Sequence, residues 1–270
     1  MNVLDTFSLK GKVAVVTGGA GNYGKQIVLA LAEAGAETYI AARKLEASEK
    51  VAQDYRALGH NVKALYLDLA KEESILALRD EVIKQSGKID ILVNNAVLQF
   101  HQDWNDDADK FAQSMQVNAT GVFIITRAFG NLMAEQKSGS IINIASVFGM
   151  VAPNVTHYEG GLEYLYSEPD YHFHKGGLIN FTKYVASYYG RQNVRCNAIS
   201  PGAKMAASQP AAFKTKELWQ TSVERWSRRT QLFRLGEETF LKGAVVFLAS
   251  DASSYMTGAN IPVDGGYTAI

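Results

Sequence analysis

A chain of 270 residues that is 47% apolar and 20% charged has the makeup of a globular protein with one sizeable core, which excludes disordered and fibrous classes. Its 27 basic and 27 acidic residues cancel, so no global field recruits nucleic acid or an anionic membrane. The lone Cys196 cannot form an intramolecular disulfide, no apolar run approaches membrane-spanning length, and the opening MNVLDTFSLKGK lacks the basic-then-apolar layout of a secretory signal; the cytoplasm is the expected location.

Short β-branched runs alternate with helical patterns along most of the chain. The run KVAVVT at 12–17 leads through a glycine-rich turn into a helix over 23–34. ETYIAA at 37–42 precedes a helix over 45–58, NVKALYL at 61–67 precedes one over 71–86, and IDILVN at 89–94 precedes a long one over 108–134. Gly35, Gly59 and Gly87 stand where three of these helices end. SIINIA at 140–145 and VRCNAIS at 194–200 flank a helix over 170–189. Apolar strands buried on both faces between crossover helices predict an α/β fold, a doubly wound parallel sheet with helices on both faces. Two stretches break the rhythm. The segment 147–170 reads as a long functional loop, and 203–234 as a lid in which Leu218, Trp219, Val223 and Trp226 mark an amphipathic helix. With no linker or repeat, a single domain over 1–270 is expected.

The turn after the first strand contains Gly18, Gly19, Gly21, Asn22, Tyr23 and Gly24. Glycine there lets backbone approach a pyrophosphate, whose charge the following helix N-terminus stabilises; a plain tight turn is the competing reading. At the end of the second strand Ala42 stands where NAD would call for an acid on its ribose, and Arg43 follows. An arginine fork suits a 2′-phosphate, so NADP(H) is the preferred cofactor and NAD(H) a possible one, the alternative for Arg43 being an ordinary solvated side chain. Tyr171 and Lys175 lie four apart on one face of their helix. A free tyrosine has a pKa of about 10, and a nearby ammonium would lower it, which makes Tyr171 a candidate acid/base; a snorkelling surface pair is the bland reading of the same spacing.

In their order along the chain these motifs resemble the short-chain dehydrogenase/reductase family over essentially the whole length. They are TGGAGNYG at 17–24, Asp68 with Leu69, Asn94, Asn95 and Ala96, Asn118 in VNATG, Ser146 in IINIAS, YHFHK at 171–175, Pro201 with Gly202, and VDGG at 263–266. The resemblance implies a Rossmann-type domain binding a nicotinamide cofactor, with Asn118, Ser146, Tyr171 and Lys175 as the catalytic set. It also implies Asp68 at the adenine, Asn95 near the adenosine ribose, and cofactor contacts from Gly18, Asn22, Tyr23, Gly24, Leu69, Ala96, Pro201 and Gly202. Lys175 would hold the nicotinamide ribose and tune Tyr171, Ser146 would orient the reacting oxygen, and Asn118 would support a water. A homotetramer is implied as well.

The departures set the limits of the analogy. Asn22 replaces the family's middle glycine, a change tolerable because asparagine visits positive φ readily, Val97 replaces a glycine, and Ala206 stands where a threonine often contacts the carboxamide. Ser146 and Tyr171 are 25 residues apart, longer than the family spacing, and the insertion resembles that of a sugar-modifying subgroup. His157, Tyr158, Glu159 and Tyr164 are the expected substrate contacts, and no metal site is expected because no Cys or Asp cluster completes the histidines. Residues 204–234 carry seven basic and two acidic side chains, either a lure for an anionic small molecule or a solvated face. The expected activity is NADP(H)-linked interconversion of a ketone and a secondary alcohol on a sugar, polyol or sugar acid. The rivals are an NAD-dependent alcohol dehydrogenase of the same fold and a nucleotide-sensing scaffold without turnover; a sugar-nucleotide epimerase would need a larger C-terminal domain.

Overall fold

Seven apolar runs form one all-parallel sheet: β1 (Val13–Thr17), β2 (Glu37–Ala42), β3 (Val62–Tyr66), β4 (Ile91–Asn94), β5 (Gly139–Ile144), β6 (Val194–Pro201) and β7 (Asn260–Val263). The computed structural model describes residues 2–101, 103–160, 168–206, 210 and 212–269. The strand order is β3-β2-β1-β4-β5-β6-β7, so the winding reverses between β1 and β4. In an open α/β sheet the crevice beyond the carboxyl ends of such strands is where ligands bind.

Among the described residues eight α-helices accompany the sheet: α1 (Gly24–Glu33), α2 (Leu45–Ala57), α3 (Glu72–Ser86), α4 (Ala108–Met115), α5 (Val122–Gln136), α6 (Pro169–Tyr189), α7 (Lys216–Arg229) and α8 (Lys242–Ala249). The two-residue period of the strands sorts their side chains into two layers. Val13, Val15 and Leu92 pack with Ile75, Leu78, Phe129 and Val185 from α3, α5 and α6. Ala14, Val16, Ile91 and Val93 pack with Ile27, Leu31, Val51 and Val245 from α1, α2 and α8. Both faces are therefore dry, which is why these strands read as continuous apolar runs. Truncating a side chain such as the fully buried Phe129 to alanine would cost about 3–5 kcal/mol.

Two elements differ from the sequence expectation. β7 is a four-residue strand with Pro262 inside it, too short and too interrupted to stand out; it is tolerated because it lies at the sheet edge, where a missing N–H costs no ladder bond. The long helix expected over 108–134 is broken: residues Gln116–Gly121 wind as a π-helix between α4 and α5. Gly121 sits there against the carbonyl of Leu69, where a β-carbon would collide, and Asn118 occupies the same turn. Single π turns of this kind concentrate at functional sites. Among the described residues no helix is long and apolar enough to cross a membrane.

Candidate active site

The glycine-rich turn lies where the winding reverses. Gly18 has φ +64°, and a β-carbon on it would lie 2.9 Å from Cα of Ala96, so only glycine fits this crossing between β1 and β4. Thr17 Oγ1 accepts hydrogen bonds from the N–H groups of Asn95 and Ala96, both at 2.9 Å. Asn95 Nδ2 donates to the carbonyls of Thr17 and Gly18 at 2.9 and 3.1 Å, which commits its amide to bracing the turn. Asn22 adopts no positive φ, so the tolerance expected of it is not called upon. No side chain caps the N-terminus of α1, and of its first N–H groups that of Lys25 donates to the Gly21 carbonyl at 3.2 Å. Tyr23 is the exception in a turn otherwise made of backbone: its hydroxyl donates to the Gly202 carbonyl at 3.0 Å, and burial pushes its pKa up.

Around this turn stand the other expected cofactor contacts. Arg43 projects exposed from the end of β2, and no hydrogen bond or ion pair engages it among the described residues. After β3, the Asp68 carboxylate accepts from the N–H of Ala70 at 3.1 Å and its own N–H donates to Ser74 Oγ at 2.9 Å, while Leu69 is buried beside Gly121. An uncapped helix N-terminus, a close-approach glycine and a free arginine at the second strand fit the dinucleotide that the family resemblance implies.

The third cluster gathers at the ends of β5 and β6. A cleft of about 170 Å³ is walled by Ser146, Tyr171, Tyr23, Gly202, Glu168 and Trp226, among others. Ser146 follows β5 in extended backbone, and its Oγ accepts from the Phe148 N–H at 3.1 Å. Tyr171 hydrogen-bonds with Ser146, and Lys175, one turn further along α6, sits 5.5 Å from the centre of the tyrosine ring. Lys175 Nζ donates to the Ile144 carbonyl at 2.7 Å. Burial pushes Lys175 down to about 7 and pushes Tyr171 up, the Ser146 bond opposing and the Glu168 charge adding. The expected lowering of the phenol by the ammonium is thus corrected: in this enclosed site desolvation outweighs it, because it disfavours both charged forms. Asn118 lies apart from the cleft. Its side chain donates to the Leu98 carbonyl at 2.6 Å and to Ser114 Oγ at 3.0 Å and accepts from the Leu98 N–H at 3.0 Å, pinning the β4–α4 loop.

The insertion is fastened to α7. Arg225 Nη1 donates to the carbonyls of His157 and Glu159 at 3.2 and 2.6 Å. His157 is buried against Trp226, whose ring stacks on Tyr267 at 5.0 Å. Of the expected substrate contacts, His157 and Glu159 are not among the residues lining the cleft; His157 is buried and Glu159 exposed. Tyr158 is half-buried next to His157, and Tyr164 lies outside the described residues. The basic excess of the lid segment is offset in part: Lys204 pairs with Glu238 and Arg234 with Glu237, both beyond the segment, while Arg228 pairs with Glu224 within it.

Sequence reasoning missed Glu168 and Gln99. Both line the cleft, and Gln99 Nε2 donates to Glu168 Oε1 at 2.9 Å. Glu168 stands three residues before Tyr171 at the start of the helix, a spacing that would have placed it on the tyrosine's side; nothing in the sequence around Gln99 singles it out. Burial and the neighbouring Asp170 push Glu168 up to about 7. Among the described residues no group of three His, Cys, Asp or Glu side chains is arranged to hold a metal ion.

A family model described as enoyl-(acyl carrier protein) reductase matches residues 19–268. The chain is 36% identical over 269 residues to the 2-dehydro-3-deoxy-D-gluconate 5-dehydrogenase of Escherichia coli (strain K12), with 99% of each chain covered. It is 34% identical over 272 residues to the NADP-dependent mannitol dehydrogenase of Hypocrea jecorina, covering 98% of this chain and 96% of that one. Among solved structures, a gluconate 5-dehydrogenase from Burkholderia cenocepacia J2315 in complex with NADP and tartrate matches with a TM-score of 0.87 at 30% identity, covering 100% of both chains.

Proposed function

The chain belongs to the short-chain dehydrogenase/reductase family, oxidoreductases acting on alcohol groups, and we propose that it interconverts a ketone and a secondary alcohol on a sugar, polyol or sugar acid with NADP(H). The observation that carries this reading is the convergence of Ser146 and Tyr171 with Tyr23 and Gly202 on one cleft, Lys175 standing behind the phenol. When bound, the nicotinamide supplies or accepts the hydride. The chain's own residues manage the oxygen and its proton. Ser146 holds the reacting oxygen, Tyr171 gives the proton in reduction and takes it in oxidation, and Lys175, anchored on Ile144, holds the ribose and steadies the phenolate. Because the Asn118 amide is committed to Leu98 and Ser114, its share falls to the main chain of the π segment, which would hold the water that relays the proton outward. The glycine-rich turn, Asp68, Leu69, Asn95, Ala96 and Pro201–Gly202 form the rest of the cofactor's bed.

The choice of NADP(H) is supported by Arg43 at the β2 end and by relatives that are named NADP-dependent or hold NADP. Arg43→Ala should weaken NADPH binding about ten- to hundredfold, the value of one charge-assisted phosphate bond, and leave NADH nearly unaffected. A screen of ketoses, polyols and keto-aldonates with both cofactors, followed by absorbance of the reduced form, tests the reaction and its cofactor together. Absence of turnover on every substrate would favour the scaffold reading, and a preference for NAD(H) the dehydrogenase alternative. The insertion and residues 203–234 are assigned to the substrate side of the cleft.

A cytoplasmic location and a homotetramer complete the proposal. Phe123 of α5 and Phe173, Tyr184 and Tyr188 of α6 are exposed, next to an apolar groove of about 220 Å³ that includes Phe123, Phe173 and Phe181, and a second copy would cover this face. Light scattering on the wild type and on Tyr184→Glu tests it, the expected result being a smaller species for the variant.

A further inference from the structure

Glu168 occupies an unusual place for a carboxylate. It is the residue before α6 and makes no capping bond to the helix N–H groups, so its carboxyl is not committed to the helix end. Its backbone is held instead: the Glu168 carbonyl accepts from His172 Nδ1 at 2.7 Å, and the His172 ring lies against Phe148 at 4.8 Å. The side chain turns into the cleft, where Gln99 Nε2 fixes Oε1 at 2.9 Å. Gln99 is in turn steadied from Leu98, whose N–H and carbonyl are both bonded by Asn118. One helical turn further on, in the same cleft, stand Tyr171 and its partner Ser146. A negative carboxylate is therefore built in beside the position where the substrate's reacting oxygen belongs, and its charge is felt by the Tyr171 phenol.

Resting on the reaction proposed above, we infer that Glu168, positioned by Gln99, determines substrate specificity by hydrogen-bonding a hydroxyl on the carbon next to the reacting one and excluding substrates that carry a carboxylate there. A hydroxyl satisfies the acceptor oxygens of a half-buried carboxylate; a second carboxylate brings like charges together where little water screens them. A sugar acid consequently reacts at a carbon remote from its own carboxylate, and a neutral ketose or polyol reacts with hydroxyls on its flanking carbons. No side chain inside the cleft wall supplies a cation to offset Glu168 among the described residues, since Lys175 lies behind Tyr171 and bonds Ile144.

Three probes separate the effects. D-fructose and 2-keto-D-gluconate share one skeleton and differ in whether the carbon beside the carbonyl is a hydroxymethyl or a carboxylate, and 5-keto-D-gluconate keeps the carboxylate but moves it to the far end. With NADPH at a mildly alkaline pH, the wild type should use D-fructose or 5-keto-D-gluconate with at least tenfold higher kcat/KM than 2-keto-D-gluconate. Glu168→Gln keeps hydrogen bonding but removes the charge, and should shrink that ratio at least tenfold, chiefly by lowering the KM for 2-keto-D-gluconate. Glu168→Asp should restore the preference, and NADPH affinity measured by fluorescence should stay constant across the series. An unchanged ratio in Glu168→Gln, or a wild type that prefers 2-keto-D-gluconate, overturns the role of Glu168 and leaves the reaction standing. A wild type that reduces no ketose or keto-aldonate with either cofactor overturns the reaction, and this assignment with it.

Discussion

Replacing Glu168 by glutamine should make the protein more stable, and only where the carboxyl would ionise. An ordinary glutamate ionises at 4.5, whereas in the folded chain burial and Asp170 raise this one to about 7. Folding therefore retains a proton that the unfolded chain gives up across that window. The associated stability is complete below pH 4.5 and is lost as pH rises through about 7. At about 1.4 kcal/mol for each pH step between the two values, the loss is at most about 3–4 kcal/mol, and solvent at the open side of the cleft screens it to about 2 kcal/mol. Glutamine still accepts the bond from Gln99 but never ionises. Thermal melts of both proteins at about pH 5 and about pH 8.5 should agree within a degree or so at the lower value, with Glu168→Gln melting about 4–8 °C higher at the upper one. An equal difference at both pH values, or a wild type that is the more stable at the alkaline one, would refute the placement of this carboxyl in a desolvated cleft.

Tyr171→Phe should lower kcat by about a hundredfold to ten-thousandfold while leaving the NADPH dissociation constant within about twofold, as judged by steady-state kinetics and fluorescence titration. Lys175→Ala should impair both quantities, because the amine serves the cofactor and the phenol from one position behind Tyr171. Arg225→Ala removes the two bonds that fasten the insertion to α7, so a loss of about 1–2 kcal/mol in urea unfolding and a several-fold rise in substrate KM are expected, with NADPH binding unaffected.

Much of this molecule was legible because its signals are local. A parallel strand dry on both faces must be a continuous apolar run, and the six runs from KVAVVT to VRCNAIS became β1 to β6 with their edges shifted by only a few residues. The glycine-rich turn and the spacing of Tyr171 and Lys175 are likewise written in neighbouring residues. What stayed hidden depends on partners far along the chain. The π turn at Gln116–Gly121 is governed by the contact of Gly121 with Leu69 and by Asn118 reaching Leu98, neither visible as a break in periodicity. β7 exists because β6 offers it an edge. Glu168 belongs to the cleft because Gln99, 69 residues earlier, holds it there. The phenol's pKa rises rather than falls because burial, which spacing on a helix does not reveal, acts on Tyr171 and Lys175 alike.

The two sides of the cleft are built by different means, and this bears on what substitution can change. The cofactor side is made of strand ends and tight turns, with Thr17, Asn95 and Gly18 cross-bonded at the place where the sheet reverses; disturbing it disturbs the core on both faces. The substrate side is made of long side chains on loops and on α7: Gln99 on Glu168, Arg225 on the carbonyls of the insertion, and Trp226 stacked on Tyr267. These contacts are few and stand outside the apolar layers, so each can be altered at a cost of about 1–2 kcal/mol without reaching the sheet. Substrate range should therefore respond to single substitutions at Gln99, Glu168 and Arg225, whereas use of the cofactor should respond mainly at the glycine-rich turn and at Arg43.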